Sequence, residues 1–326
     1  MNTKIEKIAN RVLQGKGISY KEAHYLMGIN GNEIYDLLYW ANHIRYNSFK
    51  NVISLCSIKS AKQGRCSEDC RFCSQSSRYQ TEISRFPLVE KEKISGAVER
   101  GKEYKSNCVG VVTSGYSLGG SVDFDKICDY VYELSKEEGI SIHTSIGTIT
   151  SEMAKKLVSS GVEMINHNLE TSERYYPNIC TTHLYKERVK TIEIAKKAGL
   201  KVCSGGIFGV GESVEDRLDL AFRLKTLDVD AIPLNFLSPI KGTPFSLEKA
   251  LSPMDILKII AVFRYIFPDK ELKIAGGREE NLRDLQSWMF YAGANSTIIG
   301  DYLTTKGKSP DDDLQMIKDF DLTYED

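Results

Sequence analysis

Three cysteines, Cys66, Cys70 and Cys73, stand in the run RCSEDCRFC at 65–73, with Phe72 directly before the last thiol. The spacing C-x-x-x-C-x-x-C brings three thiolates to one metal centre. That is one ligand short of the four that a closed structural zinc or iron–sulfur site takes. A 4Fe–4S cluster held by three thiolates keeps one iron free to chelate a small molecule. A zinc knuckle would need a fourth Cys or His at finger spacing, and none follows.

The rest of the chain narrows the setting. Its 326 residues carry a formal net charge of −1 and are 41% hydrophobic, enough for one barrel-sized core. Near-neutral charge gives no electrostatic argument for nucleic acid or an anionic membrane. Eight cysteines in a chain this long, three of them at metal-type spacing, fit a reducing, cytoplasmic compartment better than a disulfide framework. Residues 1–16 are charged and lack an apolar signal segment. No stretch approaches the roughly 18 apolar residues of a membrane span. The acidic stretches at 310–313 and 324–326 read as a solvated end.

The elements that position the thiols follow from periodicity. The first fifty residues read as helices, with Ile34, Leu37, Leu38 and Trp40–Ala41 at helical spacing. Beyond them, strands are expected at 52–58, 108–113, 141–146, 163–168, 201–207, 231–237, 272–275 and 296–299. Helices are expected at 91–102, 124–136, 151–159, 184–198, 214–227, 253–267 and 282–290, with Gly139, Gly161 and Gly199 as stops. Roughly eight β/α units over about 280 residues fit a (β/α)8 TIM-type barrel with an N-terminal helical extension. An open doubly wound sheet is the alternative, weakened by the lack of a G-x-G-x-x-G turn after the first strand. No linker divides the chain, so a single domain is expected: extension 1–50, barrel 51–305, tail 306–326. Such barrels act at the C-terminal ends of their strands. The three-Cys loop follows the first strand, and Cys108, His143, Asn166, Asn168, Cys203, Asn235 and Arg278 fall on or near later ones. Polar side chains facing into a barrel are costly unless partnered, so this ring predicts a lined cavity.

The cysteine spacing resembles the radical S-adenosylmethionine (SAM) enzymes. An ordered set of strings over nearly the whole chain resembles the biotin synthase family. It comprises CSIK at 56–59, QSSRY at 75–79, NHNLE at 166–170, TT at 181–182, YKER at 185–188, KVCSGG at 201–206, GVGE at 209–212, KGTP at 241–244, GRE at 277–279 and GANS at 293–296. The resemblance implies sulfur insertion into dethiobiotin to give biotin. A reduced 4Fe–4S cluster would cleave SAM, the 5′-deoxyadenosyl radical would take hydrogen from a saturated carbon, and an auxiliary iron–sulfur cluster, 2Fe–2S in the family, would donate sulfur. No side-chain acid or base abstracts hydrogen from such a carbon, so the cofactor must carry the chemistry. A flavodoxin- or ferredoxin-type electron donor and a homodimer are further family expectations.

The same resemblance assigns roles. Cys66, Cys70 and Cys73 would hold the SAM-cleaving cluster, with Phe72 beside it. Asn166, Asn168 and Asn235 would contact substrate, and Asn168, Glu170 and Arg188 would contact SAM. Alternation places Asn166, Asn168 and Glu170 on one strand face. Amides suit a ureido ring, and a carboxylate suits ribose hydroxyls. The family usually has Asp at the third position, so Glu170 lengthens the reach.

One departure concerns the auxiliary cluster. The family holds it with three Cys and an Arg, which maps to Cys108, Cys203 and Arg278, but the third thiolate position is His143. Either His143 ligates iron, as imidazole does in Rieske centres, or a thiol elsewhere substitutes. Cys56 and Cys180 are the candidates, and relocation of a thiol is the simpler reading. Cys128 belongs to an apolar helix face and reads as a core thiol. A third reading has no auxiliary cluster. The departure also keeps open a sister radical SAM barrel acting on an amino acid or in metallocofactor maturation. An iron–sulfur electron carrier is disfavoured by the open cluster site.

Overall fold

The computed structural model describes residues 2–136 and 140–325. The expected helix stop at Gly139 and the final Asp326 lie outside the described residues.

Three helices open the chain: α1 (Thr3–Leu13), α2 (Tyr20–Met27) and α3 (Glu33–Phe49). Asn2 and Ser19 cap the first two by accepting N–H groups of the opening turn. The barrel follows as β1 (Val52–Lys62), α4 (Lys91–Glu103), β2 (Cys108–Thr113), α5 (Val122–Leu134), β3 (Ser141–Ser145), α6 (Ser151–Ser159), β4 (Met164–Asn166), α7 (Tyr185–Lys197), β5 (Lys201–Cys203), β6 (Gly206–Phe208), α8 (Val214–Thr226), β7 (Ala231–Phe236), α9 (Pro253–Ile266) and β8 (Glu271–Ile274). Two short helices, α10 (Arg278–Leu282) and α11 (Trp288–Tyr291), precede β9 (Ser296–Ile298); α12 (Pro310–Asp319) and β10 (Thr323–Tyr324) end the chain.

Among the described residues every pairing between named strands is parallel, and β9 returns to β1 through Ser54↔Ser296, Leu55↔Thr297 and Cys56↔Ile298. The sheet therefore closes, and β5 and β6 are two halves of one of its eight strands. The interruption has a local cause. A Cβ on Gly205 would sit 1.9 Å from the Pro233 carbonyl oxygen, and the Gly205 N–H turns aside to Asn168 Oδ1. This closed parallel barrel ringed by helices is the TIM-type (β/α)8 fold expected from the sequence, not the open sheet.

The extension covers one side of the barrel. Helix α9 is buried nearly all round, from Ile256 to Ile266, and is apolar there except for Lys258 and Arg264. Helices α1 and α2 bury Ile5, Ile8, Leu26 and Met27, and α3 buries Leu37, Leu38, Ala41 and Ile44 in the same continuous core. Arg264 is wholly buried in α9 because its guanidinium donates to Gly293 O, Phe267 O, Lys270 O and Asn295 Oδ1.

Two expectations are corrected. The single helix expected at 282–290 is broken, because Arg283 adopts φ +52°, outside the helical region. The acidic end is docked: Asp313 of α12 is fully buried, and β10 pairs with β1 through Val52↔Thr323. The stops at Gly161 and Gly199 stand, both at positive φ just past α6 and α7. Among the described residues no helix is long and apolar enough to cross a membrane.

Candidate functional site

The loop after β1 carries Cys66, Cys70 and Cys73, and all three line one cavity of about 240 Å³ at the barrel mouth. The loop is tied to itself by Cys66 N–H to Gln75 O, Ser77 N–H to Cys66 O and Cys73 N–H to Cys70 O. Backbone N–H groups of Glu68 and Gly115 point at the Cys66 sulfur, and those of Gln75 and Ser76 at Cys73. Burial pushes the Cys73 thiol up to about 11. Three loop thiols on one cavity, two of them with backbone N–H groups beside the sulfur, suit iron–sulfur coordination, where donors to sulfur stabilise the charged cluster.

Phe72, Asn166, Asn168, Glu170 and Arg188 line the same cavity. The even strand that alternation predicted for the asparagines ends at Asn166. Glu170 instead reaches the cavity through a left-handed backbone, φ +72°, uncommon for a non-glycine residue. A bridge from Glu170 to Gly206 holds that turn. Arg188 donates to Asn168 O at 2.9 Å and to the Tyr176 hydroxyl at 2.7 Å, and lies 3.7 Å from Glu170 Oε1. Burial raises the Glu170 carboxyl, with Arg188 opposing it.

Beneath this mouth lies a second layer. Cys56 and Cys108 are register partners on β1 and β2, with sulfurs 2.9 Å apart. The ligand atoms of Cys56, Cys108 and His143 all lie within 4.8 Å of one another. Cys203 is register partner of Asn166 and of Ala231, and packs with Met164 and Ala231. The same inward face of β8 carries Glu271 and Lys273, an ion pair at 3.1 Å. Burial pulls the Lys273 ammonium down, but Cys56, Glu271, Cys108 and Cys203 together push it well above its ordinary value. Burial lowers His143 to about 3, so its imidazole is neutral, and raises Cys203 to about 12.

TIM-barrel interiors are ordinarily filled by branched apolar side chains. Here three thiols, an imidazole and an ion pair replace them, and His143 Nδ1 and Ser141 Oγ are buried without a partner. Two sulfurs and an imidazole within 4.8 Å of one another, with orphaned polar atoms near them, fit an iron–sulfur guest in chemistry. Position 143 carries an imidazole, and Cys56, one strand beyond Cys108, brings a further thiol to this layer.

Three expected residues sit elsewhere. Arg278 follows Gly277, at φ +87°. Its guanidinium bonds Asp313 Oδ2 at 2.5 Å, the Tyr302 hydroxyl and Ile298 O, so it pins α12, while its Nη1 is buried without a partner. Cys180 belongs to the mouth: its sulfur is 3.7 Å from Cys70 Sγ, far from any inner-layer role. Asn235 spends its amide on Gly206 O and the Gly276 N–H and is not in the cavity lining. Lys273 and Glu271 were missed by sequence reasoning. Their signal is the alternation E-L-K-I at 271–274, which places both polar residues on one face.

The Radical SAM superfamily model matches residues 61–224, and the Biotin and Thiamin Synthesis associated domain matches residues 233–323. The biotin synthase of Geotalea daltonii is 45% identical over 323 residues, covering 99% of this chain and 98% of that protein. That of Endomicrobium trichonymphae is 46% identical over 321 residues, covering 98% of each. Among solved structures, methylornithine synthase superposes with a TM-score of 0.86 at 21% identity, covering 98% of this chain and 97% of that one, which is a likeness of fold. Two family models placed in order along the chain, and full-length relatives at this identity, put the chain in the biotin synthase family of radical SAM enzymes.

Proposed function

We propose that the chain converts dethiobiotin to biotin by radical SAM sulfur insertion. The observation that carries this reading is Asn166, which joins the two layers. Its side chain lines the mouth cavity with the three loop cysteines, while its backbone is in register with Cys203 on the neighbouring strand β5. Its Oδ1 is buried without a partner. A substrate held there stands next to both sulfur-bearing layers.

Cys66, Cys70 and Cys73 would hold the 4Fe–4S cluster, and Cys56, Cys108 and Cys203 with His143 would hold the auxiliary one, whether 2Fe–2S or another type. With SAM bound, the first cluster supplies the one-electron cleavage that generates a hydrogen-abstracting carbon radical. The protein's part is placement. The free Asn166 carbonyl accepts an N–H of a ureido ring, and Asn168 is pre-oriented by the Gly205 N–H. Glu170 offers acceptors to ribose hydroxyls, and Arg188 offers its charge to a carboxylate. Phe72 and Val112 line the cavity with apolar surface, keeping water from a reactive intermediate. Lys273 neutralises charge accumulating on the inner sulfurs. A sister enzyme working on an amino acid needs no such lower layer.

The setting we propose is reducing and cytoplasmic, supported by eight cysteines that are all free thiols. A flavodoxin- or ferredoxin-type donor and a homodimer rest on family resemblance, as does a single-domain organisation on the absence of a linker. The test is anaerobic reconstitution followed by incubation with SAM, a low-potential reductant and dethiobiotin. Biotin and 5′-deoxyadenosine formed together support the reading. SAM cleavage indifferent to dethiobiotin, with no biotin, contradicts it.

A further inference from the structure

Arg188 reaches the mouth cavity from α7, and each nitrogen of its guanidinium is already engaged. Nε donates to the Tyr176 hydroxyl at 2.7 Å, Nη1 to Asn168 O at 2.9 Å, and Nη2 to His183 Nε2 at 3.1 Å. A guanidinium has five N–H groups and accepts nothing. Two N–H groups are therefore left over, one on each terminal nitrogen.

The His183 contact continues into the cysteine loop. Because Arg188 only donates, His183 Nε2 accepts, and the ring hydrogen sits on Nδ1. Nδ1 lies 2.6 Å from Glu68 Oε2 and donates there. The Cys180 sulfur is also near Nδ1, at 3.3 Å, but the carboxylate is the closer and the charged acceptor. Glu68 stands between Cys66 and Cys70, and its carboxylate is fixed by the Thr182 hydroxyl on Oε2 and the Ser67 hydroxyl on Oε1. Glu68, His183 and Arg188 all line the mouth cavity. The imidazole packs against the rings of Tyr116 and Tyr176, with centroids 5.5 and 6.0 Å away.

We propose that His183 is a positioning residue for Arg188: it ties the guanidinium to Glu68 of the cysteine loop and so sets the two free N–H groups for the carboxylate of SAM. Without the imidazole, one N–H of a buried cation has no acceptor, and the guanidinium turns away from its set direction to find one. The inference rests on Arg188 meeting the SAM carboxylate, as read above.

The test is equilibrium dialysis of SAM against the reconstituted holoenzyme, without reductant so that none is cleaved. His183→Phe keeps the ring and its packing but has no nitrogen. His183→Gln loses the ring but keeps an acceptor for Arg188 and a donor for Glu68. The dissociation constant should rise about fivefold or more in His183→Phe and stay within about twofold of wild type in His183→Gln. Added to Arg188→Met, His183→Phe should change it less than about twofold. Wild-type affinity in His183→Phe overturns the proposal. So does a larger loss in His183→Gln than in His183→Phe, which would make the ring a packing group, or the full effect persisting in the Arg188→Met background. Loss of the 4Fe–4S absorbance from His183→Phe overturns it too, since the Glu68 contact would then serve the cysteine loop alone. Wild-type affinity in Arg188→Met would instead sink the assignment of Arg188 itself.

Discussion

The mouth of the barrel and the layer beneath it both gather sulfur, but they are built in opposite ways. At the mouth the walls are tied, Asp69 to Thr181 and Thr182, Glu68 to His183, Arg188 to Asn168 and Tyr176, and Asn166 Oδ1 and His167 Nε2 are the free atoms of the lining among the described residues. The layer beneath has a register pair of thiols, an ion pair, and several buried polar atoms with no partner. A tied site keeps its shape without its guest. A site with orphaned atoms is complete only with one, because unpaired buried groups each cost about 1–3 kcal/mol. The difference teaches that the upper site is a preformed cradle and the lower one is finished by its occupant.

The comparison breaks most visibly at the cradle. Cys73→Ala should abolish both 5′-deoxyadenosine and biotin, as measured by chromatography of a quenched reaction. Retention of either product would remove the loop from the chemistry.

The next effect is on stability, in the lower layer. Lys273 is almost wholly buried and its partner Glu271 is about a quarter exposed. Breaking a buried pair costs about 3–5 kcal/mol, and partial hydration of Glu271 places Lys273→Met near the lower end. Denaturant unfolding of the iron-free chain measures this. The double variant Lys273→Met, Glu271→Leu should recover most of the loss; an equal loss in both would mean that the ion pair is not what holds the layer.

The smallest effect is a pH dependence at the mouth's support. Burial pushes the Asp216 carboxyl up, but hydrogen bonds from Ser172, Ser213 and Arg174 outweigh it and hold it at about 2. Its folded value lies below the ordinary 3.8, so its stabilisation is complete above about pH 4 and is lost as pH falls toward 2. Asp216→Asn should flatten the stability profile in that window and nowhere else, read by urea unfolding at stepped pH.

How much of this was legible in the chain depends on the range of the signal. The cysteine spacing lies within one loop, and the β/α alternation is local, so both read directly. Cys56 could be assigned to a strand, but its place beside Cys108 depends on the β1–β2 register, which no local pattern states. Lys273 was overlooked because the strand was started at Leu272, which cut off the first member of the Glu271–Lys273 pair. Arg278 stands in a recognisable string, yet one left-handed glycine before it turns it to Asp313 on α12, thirty-five residues on. The acidic tail looked solvated because its partner, that same arginine, is remote in sequence.

The central claim is that the lower thiols, Cys56 included, hold the sulfur that ends in biotin. The direct measurement is biotin formed in a single turnover by reconstituted Cys56→Ser with SAM, reductant and dethiobiotin. The account predicts that SAM is still cleaved while biotin is lost. Biotin at the wild-type amount would contradict it.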